Sequence, residues 1–328
     1  MALLLSRANV QELLSMDETI ALVERAFAEL VQGTAWMPQR TAVTDPSHNG
    51  WIAFMPAHLK GMGALGVKAV TVYKDNPAKH KLPTTLATIT LLDGETGRAV
   101  AIMDGGYLTA MRTGAVTGVA TKYLARKNAK IAGVLGTGVQ ARTQVLGMAA
   151  ARKLEKVLCA SVDSPEVQQA FVKDMSQRTG VPVQLVGSVR EVVEQSDVLA
   201  LATTASKPIV DGDWVKPGLH INSIGSHAPG VRELDTKTVV KSKIICDHTP
   251  ACLAEAGDIQ IPIQEGALKP EAIYGELGEV ITGKKKGRES DREITLFKSV
   301  GLSIQDISAA YLVYQKARER KVGVEFQF

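Results

Sequence analysis

A chain of 328 residues exceeds what one hydrophobic core usually organises, so two domains are expected. Its 45% hydrophobic and 22% charged residues fit a soluble globular enzyme and exclude a disordered or fibrous chain. The net charge of +4 is spread out, with only KKKGR at 284–288 clustered, and the 5% of aromatic residues offer no stacking platform beside a basic run, which excludes nucleic acid as the partner.

The opening MALLLSRANV has a short apolar run without a basic flank or a small-residue cleavage site. No apolar stretch approaches the ~18 residues of a spanning helix, so no membrane association is expected. Three cysteines, Cys159, Cys246 and Cys252, form an odd set in apolar surroundings, as expected of reduced thiols in a cytoplasmic protein. Cys246 and Cys252 flank Asp247 and His248, but their spacing is not that of a zinc site, and no metal is expected.

Residues 10–31 (VQELLSMDETIALVERAFAELV) repeat apolar side chains at three and four, which predicts one amphipathic helix with Ser15 or Asp17 placed to cap. From 51 to 104 the runs WIAFMPA, GALGVKAVTVY, TTLATITLLD and ETGRAVAIMD alternate with the turn signals DNP, DGETG and DGG. They predict a mostly antiparallel sheet. From 131 the rhythm changes to short apolar runs without alternation: IAGVLG, KVLCAS, VQLVG, DVLALAT, LHINSIG and KIICD. Such runs suit strands covered on both faces, and the helical patterns between them predict a doubly wound parallel sheet. After Glu293 the segment ITLFKSVGLSIQDISAAYLVYQKARER reads as helical in two pieces around Gly301, the last returning to the first domain.

In GTGVQA, Gly136, Gly138 and Ala141 match the G-x-G-x-x-G/A fingerprint between a strand and a helix. Gly136 permits the tight turn, Gly138 admits a pyrophosphate to the backbone, and Ala141 allows close helix–strand contact. The backbone from Gly136 through Thr137 and Gly138 to Val139 and Gln140 would then present free amides and a positive helix end to the phosphates. An α/β, Rossmann-type domain binding NAD(P)H follows. The next strand ends at Ser161, followed by Val162 and Asp163. Ser161 lacks the charge that repels a 2′-phosphate, and Arg142 is the nearest cation, so the reading leans to NADP.

Lys68 sits in GVKAVTV, an apolar strand in which an unpaired ammonium is costly, so it calls for an anionic ligand or a structural acid. Desolvation would also lower its pKa and let it move protons. His220 and His248 read as structural.

Several segments, in order along nearly the whole chain, resemble the ornithine cyclodeaminase/μ-crystallin family: FMPA at 54–57, GVKAV at 66–70, LLDGETG at 91–97 and LTAMRTGA at 108–115. LGTGVQA, GSHAPGVRELD at 225–235 and the closing FKSVGLSIQD complete the set. The resemblance implies a homodimer in which 1–118, completed by 304–328, form an α+β substrate and dimerisation domain, with the Rossmann domain of 119–303 inserted. It implies that Arg40, Lys68 and Arg112 hold a substrate carboxylate, with Thr84 nearby, and that Arg112, expected at a helix start, and Thr113 also face a cofactor phosphate. Thr203, Thr204 and Gly225 would line the cofactor, and Val300 and Gly301 would border the nicotinamide or the substrate.

One position departs from the family. Cyclodeaminases carry an Asp where GSHAP has His227, and an imidazole cannot hold a substrate ammonium as a carboxylate does, although it suits a general acid or base. The expectation is therefore an NAD(P)H-dependent reductase of a small 2-imino acid, with Lys68 or His227 supplying the proton. Δ1-Pyrroline-2-carboxylate, Δ1-piperideine-2-carboxylate, or pyruvate with ammonia would be the substrate. Ornithine cyclodeaminase and a non-catalytic ligand-binding protein like μ-crystallin are the alternatives.

Overall fold

Burial alternates along the strands of the early sequence and is continuous along those of the later one, and the two patterns build two different sheets. In the computed structural model, which describes residues 1–226 and 228–327, the chain forms two compact units. One comprises residues 1–112 with 302–328 and the other residues 113–301, so the divisions fall at 112/113 and 301/302 rather than at 118/119 and 303/304.

The first unit opens with β1 (Ala2–Leu5), α1 (Arg7–Leu13) and α2 (Met16–Val31). The single helix expected over 10–31 is thus broken. Ser15 leaves helical geometry to cap α2, its hydroxyl accepting from the Glu18 amide, while Ser6 and Asn9 form a capping box on α1. There follow β2 (Ala35–Trp36), β3 (Thr41–Asp45), β4 (Gly50–Leu59), β5 (Ala64–Tyr73), α3 (Asn76–His80), β6 (Thr85–Leu92), β7 (Ala99–Asp104) and α4 (Gly106–Leu124).

The second unit contributes β8 (Ile131–Leu135), α5 (Val139–Ala151), β9 (Lys156–Ala160), α6 (Pro165–Thr179), β10 (Val183–Leu185), α7 (Val189–Gln195), β11 (Val198–Leu201) and β12 (His220–Ser223). It continues with α8 (Thr236–Val240), β13 (Lys243–Cys246), α9 (Thr249–Glu255), α10 (Gly257–Gln264), β14 (Ile273–Glu276), α11 (Leu277–Ile281) and β15 (Thr295–Lys298). All eight strands are parallel, in the order β10-β9-β8-β11-β12-β15-β13-β14. The direction of winding reverses between β8 and β11, the point at which open α/β sheets bind ligands. One sequence expectation fails here: 295–298 is not helical but a fully buried strand between β12 and β13. Four apolar-rich residues are too few to show a period, so TLFK was absorbed into the helical pattern that follows it.

The chain then returns to the first unit with α12 (Ser303–Arg320) and β16 (Val324–Phe326). The first sheet runs β16-β1-β7-β6-β5-β4-β2, with β3 also on β4. It is antiparallel except where β1 pairs β7. Helix α12 lies on β4 and β5 and beside α2, and its buried residues Ile304, Ile307 and Ala310 close that face. Among the described residues, no helix is long and apolar enough to cross a membrane.

Candidate active site

Alternation along β5 decides where Lys68 points. Ala64, Gly66, Lys68 and Val70 are buried while Leu65, Val67 and Ala69 are half-buried, so the lysine shares the face covered by α12. It is 1% exposed. Its Nζ lies 2.6 Å from Oδ2 of Asp306, a wholly buried residue in the first turn of α12. At this distance the contact is a buried ion pair, and Oδ2 accepts no other hydrogen bond among the described residues. Arg112 donates through Nε to Asp306 Oδ1 at 2.8 Å and through Nη1 to Gln305 Oε1 at 2.6 Å. It reaches both from well inside α4, not from a helix start as expected.

The resulting cluster has more donors than acceptors. Two cations share one carboxylate, the Arg112 Nη2 makes no hydrogen bond among the described residues, and the buried Gln305 Nε2 has no partner. Two cations on one buried carboxylate, beside an unpartnered amide N–H of Gln305, call for an anionic acceptor, and a carboxylate meets that demand in both charge and shape. Burial pushes the Lys68 pKa down to about 7; Asp306 opposes that shift, while Arg112 and Arg40 reinforce it.

Register locates the other two substrate candidates. Thr41 of β3 pairs Phe54, which pairs Ala69, so Arg40 just before β3 is in line with Met55 and Lys68, about 10 Å away across two strands. Arg40 thus joins the cluster at its edge. Thr84 does not. Its carbonyl accepts from the Tyr73 amide, which places it about 17 Å along β5 from Lys68.

In the second unit, the glycine turn leaves β8 at the point where winding reverses. Gly136 has φ +100°, and a Cβ there would lie 2.9 Å from the Ala202 carbonyl oxygen, so only glycine fits. Gly138 is extended and has open space where its Cβ would be. Helix α5 begins at Val139 with no side chain on its first amides. Thr137 is buried, and its hydroxyl bonds Asp163 and lies 3.2 Å from the Ser161 hydroxyl, which donates to Asp163 at 2.7 Å. These bonds, that of Thr137 first, hold the Asp163 carboxyl below the usual carboxylate range, so an acid does stand at the end of β9. Gln140 points an unpartnered oxygen inward. Arg142 is turned to α6, paired with Asp174 and lying over the Phe171 ring at 5.3 Å.

The remaining cofactor candidates frame a buried polar network that sequence reading missed. Glu233 Oε1 accepts from the amide and hydroxyl of Thr203 at 3.0 and 2.6 Å, and a Cβ on Gly225 would be only 2.4 Å from its Oε2. Burial raises the Glu233 pKa, aided by Asp258. Asp247 Oδ2 accepts from the amides of Val300 at 2.9 Å and Gly301 at 2.8 Å, which commits those two N–H groups to the fold. Thr204 is exposed and Thr113 is buried in α4. His227 lies outside the described residues. Buried His220 is neutral, its pKa driven down to about 3 by burial, and Cys159, Cys246 and Cys252 are buried free thiols.

The model of the ornithine cyclodeaminase/mu-crystallin family matches residues 1–321. The chain belongs to that family. A Δ1-pyrroline-2-carboxylate reductase of Bacillus cereus is 37% identical over 327 residues, covering 99% of this chain and all of the relative. The structure of the Thermococcus litoralis Δ1-pyrroline-2-carboxylate reductase with NADH and L-proline is 49% identical, with a TM-score of 0.96 over 99% of this chain and all of that one. An archaeal alanine dehydrogenase dimer with bound NAD is 38% identical, with a TM-score of 0.94 over 100% of this chain and 99% of that one.

Membership of the ornithine cyclodeaminase/mu-crystallin family agrees with the quoted motifs, and both FKSVGLSIQD and GSHAPGVRELD contain more than was read from them. Gln305 and Asp306 close the first motif, and Glu233 lies in the second. An acidic residue in the first turn of a helix reads as a response to the helix dipole. Its burial against a strand lysine from the opposite end of the chain was the missing signal.

Proposed function

We propose that this protein is an NADH-dependent reductase of Δ1-pyrroline-2-carboxylate that forms L-proline. The observation that carries the reading is the buried Lys68–Arg112 pair with its surplus of donors. A planar 2-imino acid offers what that pair lacks: a carboxylate for Arg112, assisted by Arg40, and an imine nitrogen for Lys68. The cyclic substrate is preferred over pyruvate with ammonia because the reductase with NADH and L-proline is 49% identical and the alanine dehydrogenase 38%.

The glycine turn fits a dinucleotide. Gly136, Thr137, Gly138, Val139 and Gln140 would hold its pyrophosphate at the amino end of α5, and the open space over Gly138 admits it. When bound, the reduced nicotinamide supplies a hydride to the imine carbon. Arg112 orients that carbon by fixing the adjoining carboxylate. As the C=N electron pair moves onto nitrogen, Lys68 gives its proton there and is left as a neutral amine, to be reprotonated from water. A lysine that titrates near neutrality suits that transfer.

Asp163 supports NAD rather than NADP, reversing the lean drawn from Ser161, because its charge beside Ser161 opposes a 2′-phosphate. The chain is read as a homodimer in the manner of the archaeal alanine dehydrogenase. Its free thiols suit the cytosol.

The testing experiment is a panel of four substrates, each with NADH and with NADPH. Pyrroline-2-carboxylate with NADH should be turned over fastest, and ornithine should release no ammonia. A panel in which only ornithine reacts, giving proline and ammonia, would replace this reading with the cyclodeaminase one. Gly138→Ala should weaken NADH binding about tenfold or more, because a methyl group fills the approach to the amides, without lowering the melting temperature. Unchanged affinity would move the dinucleotide away from this turn.

A further inference from the structure

Asp306 is wholly buried and divides its two oxygens between two cations, Oδ1 to Arg112 Nε at 2.8 Å and Oδ2 to Lys68 Nζ at 2.6 Å. Its neighbour Gln305 takes a second nitrogen of Arg112. One turn of α12 therefore sets the separation between the lysine and the arginine. We propose that Asp306 is the positioning residue of the proton donor, keeping Lys68 as an ammonium and fixing its distance from the arginine that binds the carboxylate. The inference rests on the reading of the site given above and assigns Asp306 a role in rate and pH dependence beyond that of a buried ion pair.

The charged groups facing Lys68 are Asp306 from α12, Arg112 from α4 and Arg40 ahead of β3. Both arginines disfavour the ammonium, as does burial, so Asp306 alone among the three opposes its discharge. A discharged amine could not protonate an imine. The Asp306 contact engages one of the three protons of the ammonium, so the carboxylate supplies charge while leaving donors for a substrate.

The test uses the full chain as wild type, Asp306→Asn and Asp306→Glu. NMR of ¹³Cε-labelled lysine, assigned with Lys68→Met, follows the titration of Lys68 in ligand-free protein, and kcat/KM for pyrroline-2-carboxylate with NADH is measured against pH. In the wild type, activity should fall as pH rises through about 7, because the proton leaves the donor. With Asp306→Asn, the lysine midpoint and the alkaline limb should both move down by about one unit or more, costing about fivefold or more at pH 7 and regained on acidification. NADH affinity should not change. Asp306→Glu keeps the charge and displaces it by a methylene, so the midpoint should stay while kcat falls more than KM. A folded Asp306→Asn with an unmoved Lys68 midpoint would overturn the proposal. Should Asp306→Asn not fold, an Asp306→Glu with wild-type kcat would overturn it equally. Because the lysine titration needs no turnover, it decides the role of Asp306 even if the wild type fails to reduce the imine, a result that would count against the substrate assignment instead.

Discussion

Lys68→Ala is expected to lower kcat/KM for imine reduction by about 100-fold or more while NADH still binds with wild-type affinity. The lysine is the buried donor of the cluster, whereas the dinucleotide-binding turn belongs to the other unit of the chain. The variant should fold, since Asp306 keeps Arg112 as its partner at 2.8 Å. Lys68→Arg should be almost as impaired. It preserves the charge, but a guanidinium does not release its proton near neutral pH. Steady-state rates and fluorescence titration with NADH check both variants. A Lys68→Ala enzyme with undiminished turnover would remove the lysine from the chemistry.

Asp258→Ala is expected to destabilise the protein by about 3–5 kcal/mol, and Lys298→Met by clearly less. Lys298 lies in central strand β15 with no exposure, donating to Ser223 Oγ at 3.0 Å and Asp258 Oδ2 at 3.1 Å. Asp258 Oδ1 also accepts the amides of Glu233 at 2.9 Å and Leu234 at 3.0 Å, and the Ser223 hydroxyl donates to Oδ2 at 2.6 Å. Removing the aspartate strands a buried ammonium and two amides together. Removing the lysine leaves an aspartate that still has three donors, and methionine fills the vacated volume. Denaturant midpoints compare the two. Equal losses would mean that the lysine, not the aspartate, is the centre of the network.

The parts of the fold visible in the sequence are those whose physics is local. Unalternating runs such as IAGVLG and KVLCAS became parallel strands β8 and β9, and the alternation of GVKAVTV turned Lys68 inward. The glycine turn was legible because the pattern, the preceding strand and the following helix agree. The misreadings occur where local signals tie. TLFK was too short to separate strand from helix, and the VQELLSMDETIALV pattern continued smoothly past Ser15, where the backbone leaves the helix to cap the next one.

The site was half legible for the same reason. A lysine in an apolar strand announces an anion but does not say which. Asp306 becomes its partner only after the whole second unit has been threaded between β5 and α12. The family resemblance implied Thr84 near the carboxylate-binding residues, but antiparallel pairing places it beside Tyr73, toward the far end of the strand that carries Lys68. The end of β9 was only partly legible. Ser161 occupies the position where an acid was sought, while a two-residue step brings the Asp163 carboxylate back onto the Ser161 hydroxyl.

The most direct measurement is the fate of the transferred hydrogen. With pyrroline-2-carboxylate and NADH deuterated at nicotinamide C4 on the transferred face, L-proline should carry deuterium at the α-carbon, one for each NADH consumed. Proline that forms without the label, or NADH that stays reduced while the enzyme is saturated with both ligands, would contradict hydride transfer to the imine carbon.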